Sequence, residues 1–188
     1  MSKNDFYSLV PKDLEENLSF RRSVIELGAS SASNAEDIWR MCEADLLFYI
    51  NTFCWTYDPR KPVASIPFLT YDFQDDTLLD MDASIGKRDM LIQKSRDMGA
   101  SWMLLTLFEW RWHFKSGQSF LLVSRNEDYV DKPGNPKSLF WKIDFLHKNQ
   151  PSYLLPEMTR TKLRLTNERN GSSIDGESTT GDVARGDR

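Results

Sequence analysis

Met90-Leu91-Ile92-Gln93-Lys94-Ser95-Arg96-Asp97-Met98-Gly99-Ala100-Ser101 is the stretch whose reading decides the fold. Its first residues form an apolar run of strand length. A compact polar segment follows, then one glycine, a serine, and a helical pattern over residues 102–115. Strand, tight loop and helix start make the layout of a phosphate-binding loop. There, successive backbone N–H groups and the positive end of the helix dipole face an anion. The usual spacing is G-x-x-x-x-G-K-[ST]. Aligned on Gly99, this chain keeps the final hydroxyl as Ser101, has Ala100 in the lysine's place, and carries Lys94 where the first glycine would stand. A lysine ammonium on its flexible stem reaches β- and γ-phosphate oxygens from either side of such a loop. Lys94 and Arg96 are therefore the candidate phosphate cations, and Ser101 is the candidate Mg²⁺ ligand through its hydroxyl. Ser95, Asp97, Met98, Gly99 and Ala100 complete the candidate cradle for ATP. The same residues also read as an ordinary strand-to-helix connection with a few charges on it.

Upstream, residues 66–74 are aromatic and extended in character and end in Gln74. Apolar side chains there suit a purine ring, and the Gln74 amide can both donate and accept on its edge. A strand or loop packed on the preceding helices is the other reading. Those helices are expected over residues 12–27, ended by Gly28, and over residues 35–53, opened by a Ser33/Glu36 capping box. Pro59 and Pro62 stop the second.

Downstream, the helix over residues 99–115 is apolar on most sides and so is expected to be buried. His113 reads as a C-terminal charge or a packing residue. Phe120-Leu121-Leu122-Val123 is a second buried strand. Together these complete a β–α–β run and predict a parallel sheet with right-handed crossovers. A helix is expected over 138–148, then two short strands, 163–166 and 172–174, around Asn170-Gly171. The glycine-rich polar residues after Ile174 read as a flexible terminus.

Composition sets limits on function. The chain has 188 residues, 40% of them apolar and 28% charged, with a net charge of −4. It is one α/β-sized domain with a helical extension, 1–60 ahead of 61–188. The negative balance argues against sequence-independent clamping of many DNA phosphates, though not against a local basic groove. Cys42 and Cys54 match no metal-ligand spacing and fit buried thiols of a reduced cytosolic protein. No signal-peptide core or membrane-length apolar run is present, so no membrane partner is expected.

In order, these pieces resemble the N-terminal ATPase half of a large terminase subunit, the DNA-packaging motor of tailed bacteriophages. The resemblance covers nearly all of the chain after about residue 35. Residues 42–51 running into 55–60 look like the family's helical lead-in, and Pro67 to Gln74 like its adenine-side segment. Lys94 to Ser101 resembles its deviant Walker A, in which the lysine commonly opens the loop. Val123-Ser124-Arg125, residues 128–131 and Lys142-Ile143 look like the region after the second strand. Asn170-Gly171-Ser172, Gly176-Glu177, Gly181-Asp182 and Arg185-Gly186 look like the glycine-rich segment before Walker B.

The resemblance implies a P-loop NTPase-type parallel sheet flanked by helices, present as an incomplete domain. Lys94 would neutralise β- and γ-phosphate charge, Arg96 would sense the γ-phosphate, and Gln74 would read adenine. Ser101 would hold Mg²⁺, and Arg185 would line the site or cap the fragment. The parent would hydrolyse ATP in the host bacterial cytoplasm to drive double-stranded DNA into a procapsid. Its implied partners are a small terminase subunit and the portal, and it would work as a ring of copies. The chain departs from the family in having no Walker B acidic pair and no nuclease cluster, so it is expected to lack hydrolysis alone. The alternative is a catalytically inactive prophage remnant, or a nucleotide-binding or interaction module. A helicase or nucleotide kinase is a third option, weakened by Ala100.

Overall fold

The computed structural model describes residues 6–95 and 98–179. They form an α/β structure in which seven α-helices pack against a mixed four-stranded sheet and a separate two-stranded ribbon. No helix among them is long and apolar enough to cross a membrane.

Three helices open the chain: α1 (Leu14–Ser30), α2 (Ala32–Ala44) and α3 (Leu46–Phe53). Asp13 caps α1 by accepting the N–H groups of Glu15 and Glu16. Gly28 does not end α1 as expected. The Tyr153 ring lies so close that a Cβ at position 28 would be 2.3 Å from its Cζ, so this glycine serves close packing inside the helix. The single helix expected over 35–53 is two. Asp45, at φ −137° and ψ 101°, breaks it and caps α3 through Leu47 N–H and Phe48 N–H. The same carboxylate accepts Tyr7 N–H at 2.9 Å, a tertiary bond that rewards the break. Ser31 rather than Ser33 caps α2, accepting Asn34 N–H at 3.1 Å.

Next, β1 (Trp55–Tyr57) pairs antiparallel with β2 (Ser65–Pro67), Thr56 opposite Ile66. Of residues 66–74, the strand ends at Pro67, Tyr71 is still extended at φ −81° and ψ 159°, and α4 (Asp72–Ser84) takes the rest. Its aspartates give this helix little intrinsic propensity and little amphipathic signal. Burial of Asp75, Leu78 and Met81 supplies what propensity lacks.

Residues 90–93, expected as the first core strand, are not a strand. They are exposed, Leu91 at 96%. An apolar run becomes a strand only when a neighbour completes its backbone ladder. Among the described residues β3 (Ser119–Ser124) pairs with β6 (Ser173–Ser178) on one side and with no strand on the other, so β3 is a sheet edge in the order β3-β6-β5-β4 and residues 90–93 have no ladder. The expected parallel β–α–β sheet is therefore mixed. Its parallel pair is β3 with β6, Leu122 opposite Gly176. β5 (Arg164–Asn167) is antiparallel to β6 and to β4 (Met158–Thr161). The hairpin at Asn170-Gly171 forms as read, with Gly171 at φ 73°.

Helix α5 (Ala100–Phe114) crosses this assembly, followed by the short α6 (Glu127–Val130) and by α7 (Leu139–Lys148). Met103, Leu107, Trp110 and Phe114 of α5 enter one apolar core with α2, α3 and α4. Leu105 and Trp112 enter a second core with the sheet and α7. At its C-terminal end, the Asn170 amide donates to the carbonyls of Trp112, His113 and Lys115 at 3.0–3.2 Å. The hairpin thus satisfies helix-end acceptors that would otherwise be orphaned.

Candidate functional site

The amino end of α5 has no side-chain cap. Gly99, its N-cap residue, takes φ 74° and ψ 3°, a left-handed conformation that costs other residues roughly 1–2 kcal/mol. The first helical bond runs from Met103 N–H to Gly99 O at 3.0 Å. The N–H groups of Ala100, Ser101 and Trp102 have no acceptor within the helix. Behind them lie 15 helical residues whose peptide dipoles point the same way.

Gln74 connects this end to α4. Its Oε1 accepts Tyr71 N–H at 3.1 Å, and its Nε2 donates to Met98 O at 3.3 Å. A Cβ on residue 99 would stand 3.2 Å from that Nε2. Two stretches flagged separately in the sequence are thus in contact. Each amide atom of Gln74 keeps one further hydrogen-bonding position.

Polar groups beneath α4 fix the segment. Asp75 is fully buried, accepts the hydroxyls of Tyr7 and Thr70, and lies 3.6 Å from Lys12 Nζ. Asn51 of α3 accepts Thr70 N–H at 3.0 Å and donates to Thr70 Oγ1 at 2.9 Å. The N-terminal helices therefore position Gln74 through a hydrogen-bonded chain.

A cavity of about 760 Å³ opens in front of α5. Gln74, Lys94, Met98, Gly99, Ala100 and Ser101 all line it, as the sequence reading groups them. Ser95 is exposed and is not among the lining residues. Arg96, Asp97 and Arg185 lie outside the described residues. Tyr71 and Phe73 form a stacked pair at the cavity, centroids 5.7 Å apart and planes 8° apart, exposed at 69% and 51%. Large exposed aromatic faces of this kind suit stacking by a planar ring.

The rest of the lining was not legible in the sequence. It comes from the β1–β2 loop, from Asn135, Pro136 and Lys137, and from Lys142 of α7. An aromatic cluster joins these parts: Trp141 packs on Tyr57 at 5.1 Å, and Phe145 on Trp102 at 5.9 Å, all edge-to-face. The signal available beforehand was an aromatic i, i+4 pair, Trp141 and Phe145, flanking a lone lysine. It does not say which partners that face meets.

Charge is distributed unevenly here. Among the described lining residues the cations are Arg60, Lys94, Lys137 and Lys142, and the one carboxylate is Asp58. Asp58 is held by Arg60 through bonds of 2.9 and 3.0 Å. The Arg60 hydrogen bonds hold its carboxyl below the usual range. The cavity is thus positive in a chain whose net charge is −4. Among the described residues no cluster of three or more His, Cys, Asp or Glu side chains is placed to hold a metal. The Ser101 hydroxyl, exposed at the first turn of α5, is an oxygen donor of the hard kind that Mg²⁺ takes.

A second polar cluster lies deeper along α5. Glu109 is fully buried and accepts the Tyr49 hydroxyl, with His113 Nδ1 and His147 Nε2 each at 3.1 Å from Oε1. Burial pushes the Glu109 carboxyl up, but hydrogen bonds from both imidazoles outweigh it and hold it at about 2. His113 Nε2 lies 2.7 Å from Leu154 O, so the ring bridges the Glu109 carboxylate and that carbonyl. Its full burial makes this a cross-brace between α3, α5 and α7, with His113 the packing residue of the expectation. Cys42 and Cys54 are buried and unpaired. No family model matches this chain, and no curated protein matches it significantly.

Proposed function

We propose that this chain is the ATP-binding part of a DNA-packaging motor of the large terminase kind, built on a P-loop NTPase-type fold. The supporting observation is the cavity itself. Two stretches apart in sequence, Gln74 and the group of Lys94 with residues 98–101, meet around one positive space, with the Tyr71/Phe73 pair and an uncapped helix amino end both at it. Its volume, about 760 Å³, lies within the usual range for small-molecule sites. In this reading the adenine lies on the Tyr71/Phe73 side, within reach of Gln74. The N–H groups of Ala100 to Trp102 face phosphate oxygens, and Lys94 supplies the mobile ammonium. Ser101 Oγ shares Mg²⁺ with the phosphates, and Arg96 attends the γ-phosphate. Double-stranded DNA, a small subunit, a portal and a ring of copies belong to the same proposal.

Calorimetric titration of Mg-ATP into the wild-type chain and Lys94→Ala tests it. Losing a charge-assisted phosphate contact costs roughly 1.5–3 kcal/mol, about ten- to a hundredfold in affinity. Equal binding by both proteins removes Lys94 from the site. No binding by a folded wild type overturns the nucleotide reading. A second reading, a nucleotide-binding module without hydrolysis, draws on the lining carboxylate Asp58 being engaged by Arg60 rather than free to polarise water. Phosphate release from bound Mg-ATP separates the two.

A further inference from the structure

We propose that Lys142 of α7 is a second phosphate-contacting cation of this cavity, beside Lys94. The proposal rests on reading the cavity as an anion site. Lys142 lines the cavity, and its Nζ lies 5.9 Å from the ring centroid of Trp102 in the first turn of α5. That places the ammonium near the indole of a first-turn residue of α5, on the cavity that Ala100 and Ser101 also line. Its hydrogen bond is a long one, 3.4 Å, to Ser138 O in its own helix.

Cations that do not line this cavity are differently placed. Lys132 pairs with Asp128, Lys162 with Glu127, and Arg160 with both Asp131 and Asp144. Among the described residues, no carboxylate lies within 4.0 Å of Lys142 Nζ, although burial lowers its pKa. A partly desolvated ammonium without an anionic partner is costly, and an anion in the cavity offsets that cost. Nor is it a free surface lysine. Trp141 and Phe145 of the same helix are stapled to Tyr57 and Trp102, so the turn that carries Lys142 is held in place. An ordinary packing lysine covering Trp102 with its stem is the competing account.

The test is calorimetry of the full chain with Mg-ATP and with Mg-tripolyphosphate, comparing wild type, Lys142→Met, Lys142→Arg and the surface control Lys132→Met. Lys142→Met is expected to weaken both ligands by roughly ten- to a hundredfold. Lys142→Arg should retain most of the affinity, and Lys132→Met all of it. In the wild type, tripolyphosphate should also slow acetylation of Lys142, a readout that does not depend on whether a variant folds. Unchanged affinity in Lys142→Met together with unprotected acetylation overturns the proposal and leaves the nucleotide site standing. Lys142-dependent binding of tripolyphosphate without ATP binding supports it while removing the adenine reading. Failure of folded wild type to bind either ligand overturns both.

Discussion

Gly99 carries two constraints, and they predict the same outcome. Its φ of 74° disfavours any side chain, and a Cβ would press on Gln74 Nε2 at 3.2 Å. Gly99→Ala should destabilise the chain by about 1–2 kcal/mol and loosen the Gln74–Met98 bond, read as a lower urea midpoint and weaker Mg-ATP binding. An unchanged midpoint contradicts the conformation. Glycine, lysine, serine and glutamine at the site were legible because each has a distinctive chemistry at a recognisable offset from a helix start. Lys142 was not, because its meaning comes from Trp102 and Tyr57, remote in sequence. Asp45 and Gly28 were misread for a related reason: their partners, Tyr7 and Tyr153, are tertiary.

Among the elements, α5 was the most legible, since a helix apolar on most sides must be buried. Helix α4 and the strands β1 and β4 escaped reading. Segments of three or four residues carry almost no periodicity, and α4 is held by contacts rather than by its composition. Residues 90–93 show the converse: a strand-like sequence without a ladder partner among the described residues. Leu91→Ser should therefore change stability by less than about 0.5 kcal/mol, whereas Leu47→Ala, with Leu47 1% exposed, should cost about 2–5 kcal/mol. A large loss from Leu91→Ser in urea unfolding would place 90–93 in a sheet.

The brace on α5 makes a pH prediction. The Glu109 carboxyl is depressed from 4.5 to about 2. Its contribution is therefore complete above the unfolded value and is lost as pH falls from 4.5 toward 2. Urea midpoints of the wild type should fall across that window. Glu109→Gln, which leaves buried imidazoles without their carboxylate, should be about 3 kcal/mol less stable at neutral pH and show a shallower acid slope. Parallel slopes would assign the acid loss to other groups.

At the scale of the whole molecule, the sequence conveyed an α/β chain with helices first and a sheet later, and it predicted a wholly parallel sheet where a mixed one with a single parallel pair is found. Parallel pairing is a non-local property; the apolar run at 120–123 announces a strand but not its neighbour. The two apolar cores share α5, and Phe108 packs against both. Tryptophan fluorescence and far-ultraviolet dichroism should thus report one coincident thermal transition; two separated transitions would mean the cores are independent. The same helix carries the uncapped end that faces the cavity, so ligand binding there should be felt along its length. Hydrogen exchange of the full chain with and without Mg-ATP tests the central claim most directly. The account predicts slowed amides at residues 99–102, at 71–74 and around 137–142, with little change in β4 and β5. Protection centred on the sheet, with residues 99–102 unaffected, would contradict it.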